Sequence, residues 1–403
     1  LVGLAPASLP RAHEIAIDGR VLGFTGATAA LTALLFGLAP AIASSRVDVQ
    51  PVLKGGGRTS VGGTRRLGGA LVVAEVALSV VLLAGAGLLI RSFWQLQQVE
   101  PGFDARNVLM SQLYLSEETY PGRAEQSAFG GQLLEQLEQR PATESVGIAT
   151  TLPLSGWSLG LDFRIEGRPE PTPGQEPGAG YDSVSPAYFR ALGIPLKAGR
   201  VFTRFDDAEH PPVVIVSEAL ARRHWPDESP VGQRVRLEGQ MREIVGVVGD
   251  VRHSALDQAV HPRIYTPFAQ RPWPFARLVV RTRADAPTFV RELSAAIHAL
   301  DPGQPASSVR PLDTLLTEAM AQHRFRSLLL AVFAGAALLL AALGLYGIIA
   351  HGVAQRTPEI GLRMALGAQT GDVFRTVLGQ GMLLATVGLG AGLAAAIALA
   401  RLL

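Results

Sequence analysis

Between Arg20 and Arg46 the chain carries no charged side chain, and three further windows, at about 67–90, 327–350 and 376–400, are as apolar, with Glu75 the one acidic residue among them. A helix needs about 20 residues to cross a hydrocarbon core of about 30 Å, so each window is long enough to span a bilayer. Core helices of soluble domains rarely run so far without a charge. The four windows therefore predict transmembrane helices at 21–45, 67–91, 327–350 and 376–400. Only 17% of the 403 residues are charged, against roughly 25% in soluble chains. The charge is concentrated between about 92 and 326, so the composition shifts sharply and marks the domain boundaries.

The loop between the first two windows holds Arg46, Lys54, Arg58, Arg65 and Arg66 against Asp48. A short basic loop of this kind stays cytoplasmic. Parity then places 1–20 and 92–322 outside, and 351–375, with Arg356, Arg363 and Arg375, inside. Glu75 would be costly at the bilayer centre and is an intramembrane polar candidate; its nearness to Arg66 also allows it to face water, a headgroup or a partner helix. Gly388 and Gly392 have the spacing that lets helices approach closely. The chain begins at Leu1 without a basic n-region, and it reads as an internal fragment.

Within 92–322, periodicity predicts strands at 108–115 and 145–150 around a helix at 123–139, with Phe129, Leu133, Leu134 and Leu137 on one face. The order recurs near the end: strands at 278–281 and 306–310 flank a helix at 287–300 with Phe289, Leu293, Ala296 and Ile297 as its stripe. The fold class is thus membrane α-helical plus an α+β extracytoplasmic domain. Its two β-α-β units, 108–150 and 277–310, suit a split ferredoxin-like layer with a β-rich insert at 155–270. The insert holds strands at 213–216, 233–237 and 243–248, a helix capped by Ser217, and an exposed Pro/Gly-rich loop at 169–180.

Several chemistries are disfavoured. His210, His224, His253 and His261, with Asp206, Asp207 and Asp250, show no tight metal-ligand spacing and read as scattered surface residues. A nucleophile elbow is absent. Without cysteine there is no thiolate chemistry. The only lysines, Lys54 and Lys197, are followed by Gly55 and Ala198, which excludes a P-loop. Basic residues are dispersed, which argues against nucleic acid. No catalytic residue, metal or cofactor is assigned.

The stretches VSPAYFRALGIPLKAGRVF (184–202), VVIVSEALARRHWPDESPVGQRVRL (213–237) and IVGVVGDVRHSALDQAVHPRIYTPFAQ (244–270) resemble the periplasmic core domain of MacB-like permeases. QRTPEIGLRMALGA (355–368) resembles the signature loop of the FtsX-like ABC permease domain. LFGLAPAIASSR (35–46) and LVVAEVALSVVLLAGAGLLIRSF (71–93) look like the join of a duplicated permease of the acidobacterial type. On that resemblance 21–45 ends a first repeat and 323–403 is a partial FtsX-like domain. The same resemblance leads one to expect most of the first repeat, and a final helix and tail, outside this stretch.

The resemblance implies the permease subunit of an ABC-type efflux or mechanotransmission system in the bacterial inner membrane, coupled to a separate ATPase subunit. Its partners would be that ATPase, membrane lipid, a periplasmic adaptor, and the missing repeat or a second copy. Family members export peptides, macrolides or lipoproteins, or regulate periplasmic enzymes, and the substrate does not carry over. The alternative is a membrane-anchored sensor or scaffold without transport.

The inner loop predicts a short helix at 358–366, with Thr357 as N-cap, Pro358 at its first position, Glu359 at its positive end and Gly367 ending it. Ile360 and Met364 would share a face, and Glu359 would pair with Arg363. Periodicity leaves open whether that face rests on lipid or docks a partner. The resemblance implies docking of the ATPase through Thr357, Pro358, Glu359, Ile360, Gly361, Arg363, Met364 and Gly367.

Overall fold

The computed structural model describes residues 18–45, 61–172, 174, 176–303, 309–366 and 369–402. Its helices are α1 (Gly19–Ser45), α2 (Val61–Gln97), α3 (Arg123–Glu138), α4 (Tyr188–Leu192), α5 (Glu218–His224), α6 (Ala286–Leu300), α7 (Asp313–Ala365) and α8 (Thr370–Leu402). The chain divides into two compact units, Leu1–Gln95 with Ala321–Leu403, and Leu96–Met320.

Among the described residues of the chain, three helices hold stretches long and apolar enough to cross a membrane: Gly69–Gln97, Asp313–Gly347 and Gly381–Arg401. Their large side chains point outward, Leu340, Leu343 and Tyr346 among them, as suits a surface solvated by lipid rather than water. The apolar window 21–45 is also helical, in α1.

Small residues set the spacing inside this unit. A β-carbon at Gly388 would lie 2.7 Å from the Val76 side chain, and one at Gly392 would lie 2.7 Å from the Ala77 carbonyl. The Gly388/Gly392 pair on α8 thus lets the two backbones come closer than any larger residue would allow.

The second unit is built on strands β1 (Val108–Tyr114), β2 (Thr143–Ala149), β3 (Leu159–Ile165), β4 (Gly178–Val184), β5 (Leu196–Gly199), β6 (Val213–Ser217), β7 (Arg234–Leu237), β8 (Gln240–Val248), β9 (Arg263–Pro267), β10 (Phe275–Thr282) and β11 (Arg310–Pro311). At one end the strand order is β11-β1-β10-β2, every neighbour antiparallel. Alternation along these strands sends Leu109, Leu113, Val146, Ile148, Leu278 and Val280 to one face. There they meet the stripes Phe129, Leu133 and Leu137 of α3 and Phe289, Leu293, Ala296 and Ile297 of α6. Leu134 packs partly buried against the same cluster.

From β2 a single pair, Ala149 to Val184, leads into the insert. There the pairings β4–β3, β3–β7, β7–β8, β8–β6, β6–β9 and β9–β4 return on themselves and close six strands into a barrel, with β5 added on β8. All six contribute to one apolar cluster, which includes Phe163, Ala179, Val214, Val235, Ile244 and Ile264. Closure leaves no unpaired edge along the ring. Between layer and barrel, α4 supplies Tyr188, Phe189, Ala191 and Leu192 to a third cluster. It packs so closely on β2 that a β-carbon at Gly147 would lie 2.7 Å from the Tyr188 Cα.

Ser217 caps α5 as its sequence predicts, its hydroxyl accepting from the Leu220 amide at 3.3 Å. Two expectations are corrected. The 169–180 stretch is not loop throughout: β4 starts at Gly178 because Gly178 and Gly180 pair with Asp162 and Gly160 of β3. The strand anticipated at 306–310 is seen at Arg310–Pro311, and 304–308 lie outside the described residues.

Candidate functional site

The anticipated inner loop is mostly helix. α7 runs without a break through Ala365, and α8 begins at Thr370, so 351–365 and 370–375 are helical. Thr357 therefore is not an N-cap but lies inside α7. Its hydroxyl shares its one proton between the carbonyls of Val353, at 3.0 Å, and Ala354, at 3.2 Å. The second contact explains the continuity. Pro358 has no N–H for the Ala354 carbonyl, and the Thr357 hydroxyl fills that gap. Extending an existing helix also avoids the nucleation that a separate short helix would need.

Along this stretch Ile360 is half-buried, while Gly361, Arg363 and Met364 are exposed. Pro358 and Glu359 are helical, and Gly367 lies outside the described residues. Two further apolar side chains stand out, Leu362 at 64% and Leu366 at 81% exposure. They too are spaced i, i+4, the same helical signal in the sequence as the Ile360/Met364 pair.

Glu75 lies on α2, half-buried, with Oε2 only 2.6 Å from where a β-carbon at Gly344 of α7 would sit. Its carboxylate thus lies beside α7. Ser79, buried one turn on, donates to the Glu75 carbonyl at 2.8 Å. The sequence offers no cue for Gly344, because only the packing reveals which glycine the carboxylate meets.

In the other unit the polar residues tie strands together. Asp182 of β4, fully buried, accepts from Arg263 of β9 at 2.6 Å and from the Thr151 amide at 3.1 Å. Arg263 also donates to Ser158 at 3.0 Å. Burial pushes the Asp182 carboxyl above its ordinary range, against the opposing pull of the Arg263 guanidinium and Thr151. His253 is also buried, with Nε2 3.7 Å from Asp182 and neither ring nitrogen hydrogen-bonded among the described residues. Burial, then the Arg263 charge, hold its pKa well below the usual histidine value. It is neutral at physiological pH.

The reading of the histidines and aspartates as scattered surface groups thus fails for His253 and for Asp206. Asp206 is buried and takes two bonds from Arg200, at 2.7 and 2.8 Å, and one from the Thr203 amide at 2.7 Å. Asp250 accepts from the Ala219 amide and from Arg222, both at 2.6 Å. Asp207 and His210 pair at 2.7 Å on the surface, and His261 is exposed. His224 packs edge-on against Phe163. These side chains do not converge: no cluster of three or more metal-ligating residues occurs among the described residues.

Comparison with known proteins gives two family matches, the MacB-like periplasmic core domain over residues 70–299 and the FtsX-like permease C-terminal over residues 331–403. The macrolide export ATP-binding/permease protein MacB of Chromobacterium violaceum is 30% identical over 213 residues, which cover 51% of this chain and 33% of that protein. The uncharacterized ABC transporter permease YknZ of Bacillus subtilis is 24% identical over 221 residues, 53% of this chain and 55% of that one. The chain thus spans between a third and about half of the length of these relatives. Among solved structures, the periplasmic region of MacB from Actinobacillus actinomycetemcomitans matches 55% of this chain and 96% of that one at 15% identity, with a TM-score of 0.38.

Proposed function

Because the chain belongs to the MacB-like periplasmic core domain family and carries an FtsX-like permease C-terminal segment, we propose that it is the transmembrane subunit of an ABC system whose ATP is hydrolysed on a separate subunit. One observation carries this reading. The FtsX-like match at 331–403 falls on two helices with apolar spans, α7 and α8, and the α7 end beyond the apolar stretch presents Ile360, Leu362, Met364 and Leu366 in one short segment. Such a segment suits a partner protein, which would move the helices when it binds and hydrolyses ATP.

On this proposal α1 is a fourth crossing, 46–66 is a cytoplasmic linker, and 92–322 is the periplasmic core in the inner membrane of a bacterium. Residues 323–403 form the permease part, with the coupling segment between the apolar spans. The strand order β11-β1-β10-β2, with α3 and α6 on one face, supports reading 108–150 and 277–310 as a split ferredoxin-like layer. A periplasmic adaptor and a second permease repeat or copy complete the assembly. What is moved, whether a transported molecule or a mechanical signal to a periplasmic enzyme, is the second half of the function.

Two measurements test this. An ATPase subunit should copurify with the full-length protein from its native membrane; its consistent absence favours a sensor or scaffold. Single cysteines at Gly57 and Gly174 should react oppositely with a membrane-impermeant thiol reagent in intact spheroplasts, 174 labelled and 57 protected. The reverse pattern overturns the topology.

A further inference from the structure

The face of the four-stranded layer opposite α3 and α6 is covered at one end only. Toward Val108, Met110 and Val279 it is sealed by α4 with Leu312 and Leu315. Toward the other end the cross-strand pairs Gln112–Arg277 and Tyr114–Phe275 lie open. Tyr114 and Phe275 are each 52% exposed, with ring centroids 5.2 Å apart. The segment after β2 turns through Leu154 and Gly156, at φ 59° and 77°, and brings Trp157, 45% exposed, to the same place. Gln112, Tyr114, Thr150, Trp157, Phe275 and Arg277 line a cavity of about 380 Å³.

At its floor is a cation. The Arg277 guanidinium donates to the Gln112 side-chain oxygen, a neutral acceptor, once that amide is turned toward it. No carboxylate pairs with Arg277 among the described residues, whereas neighbouring Arg310 is held by Glu318 at 2.8 Å. Burial, and then the charge of Arg310, both disfavour the charged form of Arg277. An anion set against it would relieve both effects. Three exposed aromatic rings offer a ligand flat apolar surface beside that charge, in a cavity at the small end of the range for ligand sites.

We infer that this open end of the sheet is a binding site for a small amphipathic carboxylate, its acid group on Arg277 and its apolar body against Trp157, Tyr114 and Phe275. The fork of the guanidinium suits a carboxylate held by two parallel bonds. The volume limits the body to about one or two rings. All the side chains belong to the Leu96–Met320 unit, so the binding test needs no ATPase subunit.

The test uses the full chain in lipid nanodiscs, titrated calorimetrically with N-acetyl-L-phenylalanine and with its neutral amide. The acid should bind, and the amide should bind at least about tenfold more weakly. Arg277→Gln and Trp157→Ala should each weaken the acid by about tenfold or more. Should Arg277→Gln lower the melting temperature, Trp157→Ala decides, because Trp157 lies on the surface outside the strands. Equal binding of acid and amide marks a plain apolar patch and overturns the inference. So does acid binding that Trp157→Ala leaves unchanged, or no binding of the acid up to concentrations on the order of 10 mM.

Discussion

The hydroxyl of Thr357 lies 3.2 Å from the carbonyl of Ala354, the acceptor that the proline at 358 leaves without an amide. This contact lets α7 pass through a residue type that usually ends a helix. Thr357→Val keeps the shape and removes the donor, at a cost of about 0.5–1.5 kcal/mol. Hydrogen exchange in the full-length protein should then quicken for amides around 353–362. Pro358→Ala restores the missing amide and should slow it. If both variants exchange like the parent, the hydroxyl does not sustain the helix.

This segment also shows where local signals mislead. Threonine, proline and glutamate in succession form a helix-start pattern, and nothing local to 357–359 reveals that a helix is already running. By contrast, the α3 and α6 stripes were legible because each repeats at helical spacing, and Ser217 because one side chain caps one amide. Strand β4 was hidden: Gly178 and Gly180 carry little strand propensity, and Asp182 looks like a surface residue until Arg263, from a distant stretch of chain, is seen beside it. The open cavity at Arg277 depends on which end of a sheet face is covered, a property of tertiary packing alone.

The glycines of α8 offer a test with an internal control. A side chain at Gly392 would meet the Ala77 carbonyl and the Val80 Cβ, each at 2.7 Å, whereas Gly390 has nothing within 4 Å. Gly392→Leu should therefore destabilise the helical unit by about 1–3 kcal/mol, and Gly390→Leu should have little effect. Thermal unfolding in detergent compares them. An equal loss in both variants would mean that the close approach of α2 and α8 does not matter.

The buried His253 is expected to make the domain acid-sensitive. Its folded pKa is depressed well below 6.5, so above that value the ring is neutral in both folded and unfolded chains and contributes no slope. Below about 6.5 the unfolded chain takes up a proton that the folded one refuses, and stability falls as pH falls. The raised Asp182 carboxyl acts in the opposite sense: its protonated form is favoured in the fold, a contribution lost as pH rises through its folded pKa. The histidine effect is therefore read at the upper edge of the window, between about pH 6.5 and 5.5. Because neither ring nitrogen has a hydrogen-bond partner among the described residues, His253→Leu should cost little at pH 7.5 and should flatten the melting-temperature slope in that window. A slope unchanged in the variant would assign the acid sensitivity elsewhere.

The coupling segment can be divided by exposure. Ile360 is half-buried, whereas Met364 is 46% and Leu362 64% exposed. If the ATPase docks here, Met364→Asp and Leu362→Asp remove apolar contact and place a carboxylate in the interface, an effect of about 2–4 kcal/mol on association, or thirtyfold or more. They should leave insertion and melting temperature unchanged, because both side chains already face outward. Ile360→Asp should in addition lower the melting temperature, since that side chain is partly packed. ATPase copurification and ATP-dependent activity of the full-length protein would be read together for the three variants. A helix end that merely rests on lipid predicts a different pattern: weaker membrane association of this segment but unchanged ATPase copurification. Retention of the ATPase by both the Leu362→Asp and Met364→Asp variants would discard the docking reading, even if Ile360→Asp proved unstable.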